Sequence, residues 1–150
     1  MEKIYKITDK LYVGSYRAAR RLKKLKKEGI NAIVNLMEKE KYDPGTDFNY
    51  LFKPLKDREY IKFEDLHEIL DFIEKETKKG KVLVHCHSGI SRSGGIIIAR
   101  LLSEHPDWTW DSARKFARTM RSISPHPRIK ESILDYFEKI EGKPRSKERD

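Results

Sequence analysis

Apolar positions follow two rhythms along the chain, one of strand length and one of helical period. Ile4 to Val13 carries two short apolar stretches on either side of Thr8-Asp9, which predicts a pair of strands around a turn. Gly14-Ser15 then opens a helix with Ser15 as its N-cap, carrying Ala18, Leu22 and Leu25 inward and stopping at Gly29. Asn31 to Leu36 is a near-continuous apolar run, as expected for a strand covered on both faces. Lys39 to Asp47 is a polar loop turning at Pro44-Gly45, and Tyr50 to Leu55 is a further strand whose ladder Pro54 should end. Leu66, Ile69, Leu70 and Ile73 fall at helical spacing, so a helix is expected from about Lys62 to Lys78, closed by Gly80. Lys81 to Val84 reads as a short buried strand, followed by the segment 85–93 and a helix to about Glu104, which His105-Pro106 breaks. Thr109 or Asp107 caps the next helix, with Ala113, Phe116, Ala117 and Met120 inward, and a last helix carries Ile129, Ile133 and Phe137. This order predicts a single α/β domain over residues 1–140, with a partly parallel sheet of four to five strands flanked by helices, and a polar tail over 141–150.

The 150-residue length suits one domain, and near-equal charged and hydrophobic fractions, 38% and 37%, suit a folded chain with a heavily charged surface. Gly94 to Leu102, the longest apolar stretch, is interrupted by Arg100 and too short to cross a bilayer, and the first residues lack the apolar run of a secretory signal. A cytoplasmic protein without membrane insertion is expected. The net charge of +9 points to an anionic partner, although much of the excess lies between Arg17 and Lys27 and after Lys143, where a solvated face is the more common explanation. Glutamine is absent while Lys, Arg and Glu abound, a composition that resembles heat-adapted proteins.

The single cysteine, Cys86, excludes an internal disulfide and is a candidate nucleophile, with an inert core thiol as the plain alternative. Its position decides between them. Cys86 to Arg92 lies between a strand and a helix, where backbone N–H groups at the helix start can line a bowl for a tetrahedral dianion. Those groups and the helix dipole favour thiolate over thiol. Gly89 stands where the loop needs a positive φ and where bulk would obstruct the phosphate. Arg92 can clamp two phosphoryl oxygens at once, which lysine cannot. His87, Ser88, Gly89, Ile90 and Ser91 complete the bowl, and the Ser93 hydroxyl can donate to the sulfur when it leaves. His85, at the end of a buried strand, is expected to brace the loop. The leaving oxygen needs a proton donor, for which Asp57, after Pro54-Leu55-Lys56, is the candidate and Glu59, Glu64 and Asp65 are rivals. No metal-ligand spacing occurs among the histidines.

Val-Leu-Val-His-Cys-His-Ser-Gly-Ile-Ser-Arg-Ser, residues 82–93, resembles the signature loop of the dual-specificity branch of cysteine-dependent protein tyrosine phosphatases. Residues 7–15, 29–36 and 54–57 are similar to that family's opening strands, next strand and general-acid segment. The resemblance implies a protein tyrosine phosphatase-like fold and nucleophile Cys86, phosphate-binding Arg92 and general acid Asp57. It further implies hydrolysis of phosphotyrosine in protein substrates through a phosphocysteine, with phosphoserine or phosphothreonine as further substrates, and without metal or cofactor. Phosphoinositide-directed relatives usually carry lysines within the loop, and RNA-directed ones asparagine before the arginine, where this chain has Ser91. Those substrates, and a non-catalytic binding module, are the alternatives; a nucleic-acid partner is not expected, and a monomer is.

Overall fold

The computed structural model describes residues 3–146. Strands β1 (Tyr5–Thr8) and β2 (Leu11–Gly14) form the expected antiparallel pair around Asp9-Lys10. Strands β3 (Ile30–Asn35), β4 (Asn49–Phe52) and β5 (Lys81–His85) join β2 in a five-stranded sheet of order β1-β2-β5-β3-β4, in which every pair except β1 with β2 is parallel. Placing β5 between β2 and β3 makes it the most protected strand, as its Val82-Leu83-Val84 run anticipates. Side chains alternate across it. Val82 and Val84 join the larger core, and Leu83 joins a second cluster on the other face with Ala19, Leu25, Ile30, Ile33 and Phe48.

Helices α3 (Phe63–Thr77), α4 (Arg92–Glu104), α5 (Trp110–Arg118) and α6 (Pro127–Glu141) supply the larger core, with Leu66, Ile69, Leu70 and Ile73 of α3 buried as their spacing predicts. Thr109 caps α5 in a reciprocal capping box with Ser112. Gly94 and Gly95 let the following segments approach α4 closely: a Cβ on Gly95 would lie 2.6 Å from Ile129 Cγ2, and one on Gly94 2.9 Å from Ile123 Cβ.

Four expectations are corrected. The single helix from Ser15 to Gly29 is two, α1 (Tyr16–Ala19) and α2 (Leu22–Lys27), because Arg21 leaves helical geometry at ψ 67°. Strand β4 ends at Phe52, two residues before Pro54. Met120, expected inward, is 44% exposed, since α5 ends at Arg118 and the chain turns away. The segment expected as a polar tail from 141 contains Arg145, only 4% exposed, whose guanidinium meets the carbonyls of Leu102, His105 and Trp108 and pairs with Glu141. Residues 147–150 of that tail lie outside the described residues.

The sheet register brings the functional segments together. Gly14 and Asn35 both pair with His85, so β2, β5 and β3 end in one row. Segments leaving that row, 15–16, 36–42 and 86–92, converge at the carboxyl edge of a parallel sheet, where open α/β folds bind ligands.

Candidate active site

The loop from Cys86 to Ser91 leaves β5 and turns directly into α4. Its curl depends on Gly89, at φ +78°, a conformation L side chains resist. The reason Gly89 is needed differs in part from expectation: a Cβ there would lie 2.7 Å from the Gly14 carbonyl oxygen and 3.1 Å from Ser15 N, so bulk would strike the end of β2. The loop is held from several sides. Tyr16 N donates to the His87 carbonyl at 3.0 Å, Ser124 N to the Ile90 carbonyl at 3.0 Å, and His126 N to Ser91 Oγ at 3.3 Å. His87 and Ser88 stand exposed on the rim, with the Tyr16 ring stacked at 6.3 Å on His87.

Cys86 is 1% exposed and borders the core, yet its sulfur faces polar groups: Gly89 N–H donates to it at 3.3 Å, and Ser93 Oγ lies 3.2 Å away. These polar partners at a helix start distinguish it from a thiol packed only among hydrocarbon side chains. Arg92, which opens that helix, is buried, with Nη1 donating to the Leu55 carbonyl at 3.0 Å and to that of Leu36 at 3.5 Å. Its Nε is buried and has no hydrogen-bond partner in the protein. A buried unpaired guanidinium N–H costs about 1–3 kcal/mol or more unless a ligand satisfies it. The remaining edge of the fork is thus free for two oxygens of an anion.

The contact with Leu55 also ties Arg92 to the loop carrying Asp57, two residues on. Asp57 is exposed, and its Oδ1 accepts from Arg58 N at 2.9 Å in a turn where Arg58 adopts φ +65°. Among the rivals, Asp65 lies in the first turn of α3 with Lys53 Nζ at 3.7 Å, while Glu59 and Glu64 are exposed.

His85 is fully buried and braces the loop from beneath. Because the Cys86 carbonyl, 3.2 Å from Nδ1, can only accept, Nδ1 carries the proton and Nε2 accepts from the Tyr42 hydroxyl at 2.7 Å. Burial, aided by the Arg92 cation, pushes the His85 pKa down to about 4 against the opposing pull of the Cys86 carbonyl, so the ring is neutral near pH 7. Burial likewise pushes the Tyr42 hydroxyl far up, keeping it a proton donor.

Sequence reasoning missed this supporting layer. It places Tyr42 in a polar loop, yet the ring crosses beneath the site; nearby, Tyr50 donates to Glu40 at 2.7 Å and accepts from Asn35 at 3.0 Å. The available signals were two tyrosines beside a charged loop and one asparagine ending an apolar strand. Tyr16 lies against the rim, whereas Phe63 packs on the core and Tyr60 donates to Asp135. Among the described residues no cluster of three or more His, Cys, Asp or Glu could hold a metal, and no helix is long and apolar enough to cross a membrane.

The family described as "Dual specificity phosphatase, catalytic domain" matches residues 11–139. Dual specificity protein phosphatase 16 of Homo sapiens is 33% identical over 141 residues, 91% of this chain and 21% of that protein. Protein-tyrosine-phosphatase IBR5 of Arabidopsis thaliana is 30% identical over 133 residues, 88% of this chain and 50% of that protein. The chain thus spans half or less of the length of these relatives. Human DUSP28 superposes with a TM-score of 0.80 at 23% identity, covering 91% of this chain and 94% of that one. DUSP15 superposes at 0.81 with 25% identity, covering 89% and 86%. This chain belongs to the dual specificity phosphatase family, and its fold is that of the protein tyrosine phosphatases of this type.

Proposed function

We propose that residues up to Arg145 form a catalytic domain that hydrolyses phosphotyrosine in proteins, with phosphoserine and phosphothreonine as further substrates, through a phosphocysteine on Cys86. The observation that carries this reading is the pairing of a sulfur that meets an N–H and a hydroxyl at a helix start with a buried arginine whose Nε has no partner. In the first step the Cys86 sulfur attacks phosphorus, the bond from phosphorus to the tyrosyl oxygen breaks, and Asp57 gives its proton to that oxygen. In the second step water attacks phosphorus while Asp57 takes its proton. The sulfur–phosphorus bond breaks, the Ser93 hydroxyl donates to the departing thiolate, and inorganic phosphate leaves. Arg92 and the N–H groups of residues 87–91 hold the equatorial oxygens throughout. A thiolate nucleophile keeps its activity in a reducing compartment, which supports a cytoplasmic enzyme.

The test is turnover of p-nitrophenyl phosphate and a phosphotyrosine peptide. Cys86→Ser should abolish it, and Asp57→Ala should lower kcat by about 10²–10⁴ on the peptide, the range of general acid catalysis. Wild-type turnover by Cys86→Ser overturns the mechanism, and full activity of Asp57→Ala moves the acid to another group.

A further inference from the structure

Helices α1 and α2 carry a surface that the phosphoryl chemistry does not use. Arg17 to Lys27 holds seven cations and no carboxylate, most of the net charge of +9, and all seven are exposed. Elsewhere the chain interleaves its signs: Lys75, Lys78 and Lys79 pair with Asp71, Glu74 and Glu76 within 4.0 Å, and Arg128 pairs with Glu131. Among the described residues, the six cations from Arg20 to Lys27 have no carboxylate within 4 Å. Lys23 and Lys27 stand four residues apart on α2, so like charges meet on one helix face, an arrangement that costs stability until anions come to it. A face that meets only water gains nothing from such a pattern.

That face lines a cavity of about 540 Å³ between α2 and the segment before β4, well within the size of ligand pockets, about 300–1,000 Å³. Leu22, Pro44 and Phe48 give it apolar surface, the exposed Lys23, Lys26 and Lys27 surround it, and Asp47 is its one carboxylate. Its walls are fixed. Phe48 is 8% exposed and belongs to the cluster of Leu25, Ile33 and Leu83. Lys26 joins the two sides, its Nζ donating to the Asp47 carbonyl at 3.0 Å and lying 5.4 Å from the centre of the Phe48 ring. On the far side Gly45 N donates to Asp43 Oδ1 at 2.8 Å, and a Cβ on Gly45 would meet nothing within 4 Å, so the recess is open there.

We infer that α2 and the segment before β4 dock an acidic segment of a partner protein, with one bulky apolar side chain of that segment in the recess against Phe48 and its carboxylates on Lys23 and Lys27. The inference goes beyond the phosphatase reading and does not depend on it. An apolar recess rimmed by charge has the anatomy of a protein interface, in which a buried anchor supplies affinity and the rim supplies orientation and rate. A bilayer fits poorly, because the apolar surface is recessed between lysines instead of projecting from them. A nucleic acid strand would set phosphates on the lysines and leave the apolar recess unfilled. A peptide satisfies both halves at once.

The experiment measures fluorescence polarisation of three labelled, unphosphorylated peptides on the full chain: a phenylalanine among glutamates, the same peptide with alanine for phenylalanine, and the same with glutamine for every glutamate. The first should bind, and the other two should bind about tenfold more weakly or worse, one for want of the buried anchor and one for want of the ion pairs. Added salt should weaken the first peptide. The Lys23→Glu/Lys27→Glu variant should keep the wild-type melting temperature and lose at least about tenfold in affinity for the first peptide. Amide chemical shifts induced by that peptide should cluster on α2 and residues 44–48. Shifts confined to residues 86–92 would overturn the inference, since the peptide would then sit on Arg92. Equal binding of all three peptides, binding of none, or tighter binding of single-stranded DNA or of phosphatidylserine vesicles than of any peptide would overturn it too. Each of these failures leaves the phosphatase reading standing.

Discussion

Cys86 is surrounded by single residues whose conformations admit few substitutes. Gly89 combines a φ of +78° with a backbone oxygen 2.7 Å from where a Cβ would stand. Gly89→Ala should therefore lower stability by about 1–3 kcal/mol, the cost of an L residue held in that region, and should reduce kcat more than it reduces folded population. Urea unfolding and steady-state turnover of the same variant separate the two effects. His85 makes a pH-dependent contribution. The unfolded histidine gains a proton below about pH 6.5, whereas the folded one gains it only near pH 4, so acid favours the unfolded chain between those values. Stability from this group is complete above about pH 6.5, falls as pH drops toward 4, and amounts to on the order of 3 kcal/mol. Chemical denaturation from about pH 7.5 to 4 should show a slope that is shallower in His85→Gln, which keeps an N–H for the Cys86 carbonyl without titrating. At this scale the grouping of Cys86, Arg92 and Ser93 was legible because they share one short segment. Tyr42, Asn35 and Tyr50 were not, since their roles depend on which strand lies beside β5, a long-range fact that local pattern does not contain.

Helix α4 sets local propensity against packing. Alanine is favoured over glycine in a helix interior by about 1 kcal/mol. At Gly95, however, a Cβ would stand 2.6 Å from Ile129 Cγ2, and forcing α6 away costs about 1–3 kcal/mol. Packing wins, so Gly95→Ala should lower the melting temperature, and the displaced 124–126 segment should loosen its hold on Ile90 and Ser91 and reduce activity as well. The C-terminal segment is a second case. Arg145 closes the end of α4 through the Leu102 and His105 carbonyls, and Trp110 N donates back to the Arg145 carbonyl. Arg145→Ala should cost about 2–4 kcal/mol, as expected when several charge-assisted hydrogen bonds are lost from a buried group. Ending the chain after Glu141 should cost at least as much; equal melting temperatures for the truncated and full chains would contradict this. Lys143, Pro144 and Arg145 carry no apolar period, so a pattern of hydrophobic spacing could mark them only as tail. The helical spacing that located α3 is a property of many residues at once, which is why that element, Phe63–Thr77, lies close to its expected bounds of Lys62 to Lys78.

Across the whole molecule, the parallel sheet collects the ends of β2, β5 and β3 into one edge and places a cation-lined cavity there. The α/β class follows from the order of strand and helix periods. The strand order β1-β2-β5-β3-β4 does not, because a short apolar run such as 81–85 suits any central position until its neighbours are known. A charge of +9 admits a plain solvated-surface explanation. Much of it does lie on exposed helices, but α2 carries cations alone, where α6 interleaves both signs. The most direct test of the covalent mechanism is rapid acid quench of the enzyme during turnover of a phosphotyrosine peptide, followed by mass mapping of the phosphorylated protein fragment. A phosphoryl group on Cys86, longer-lived in the Asp57→Ala variant and absent from Cys86→Ser, is the expected result. A catalytically active enzyme that carries no such adduct under quench, or carries it on a histidine, would contradict the account.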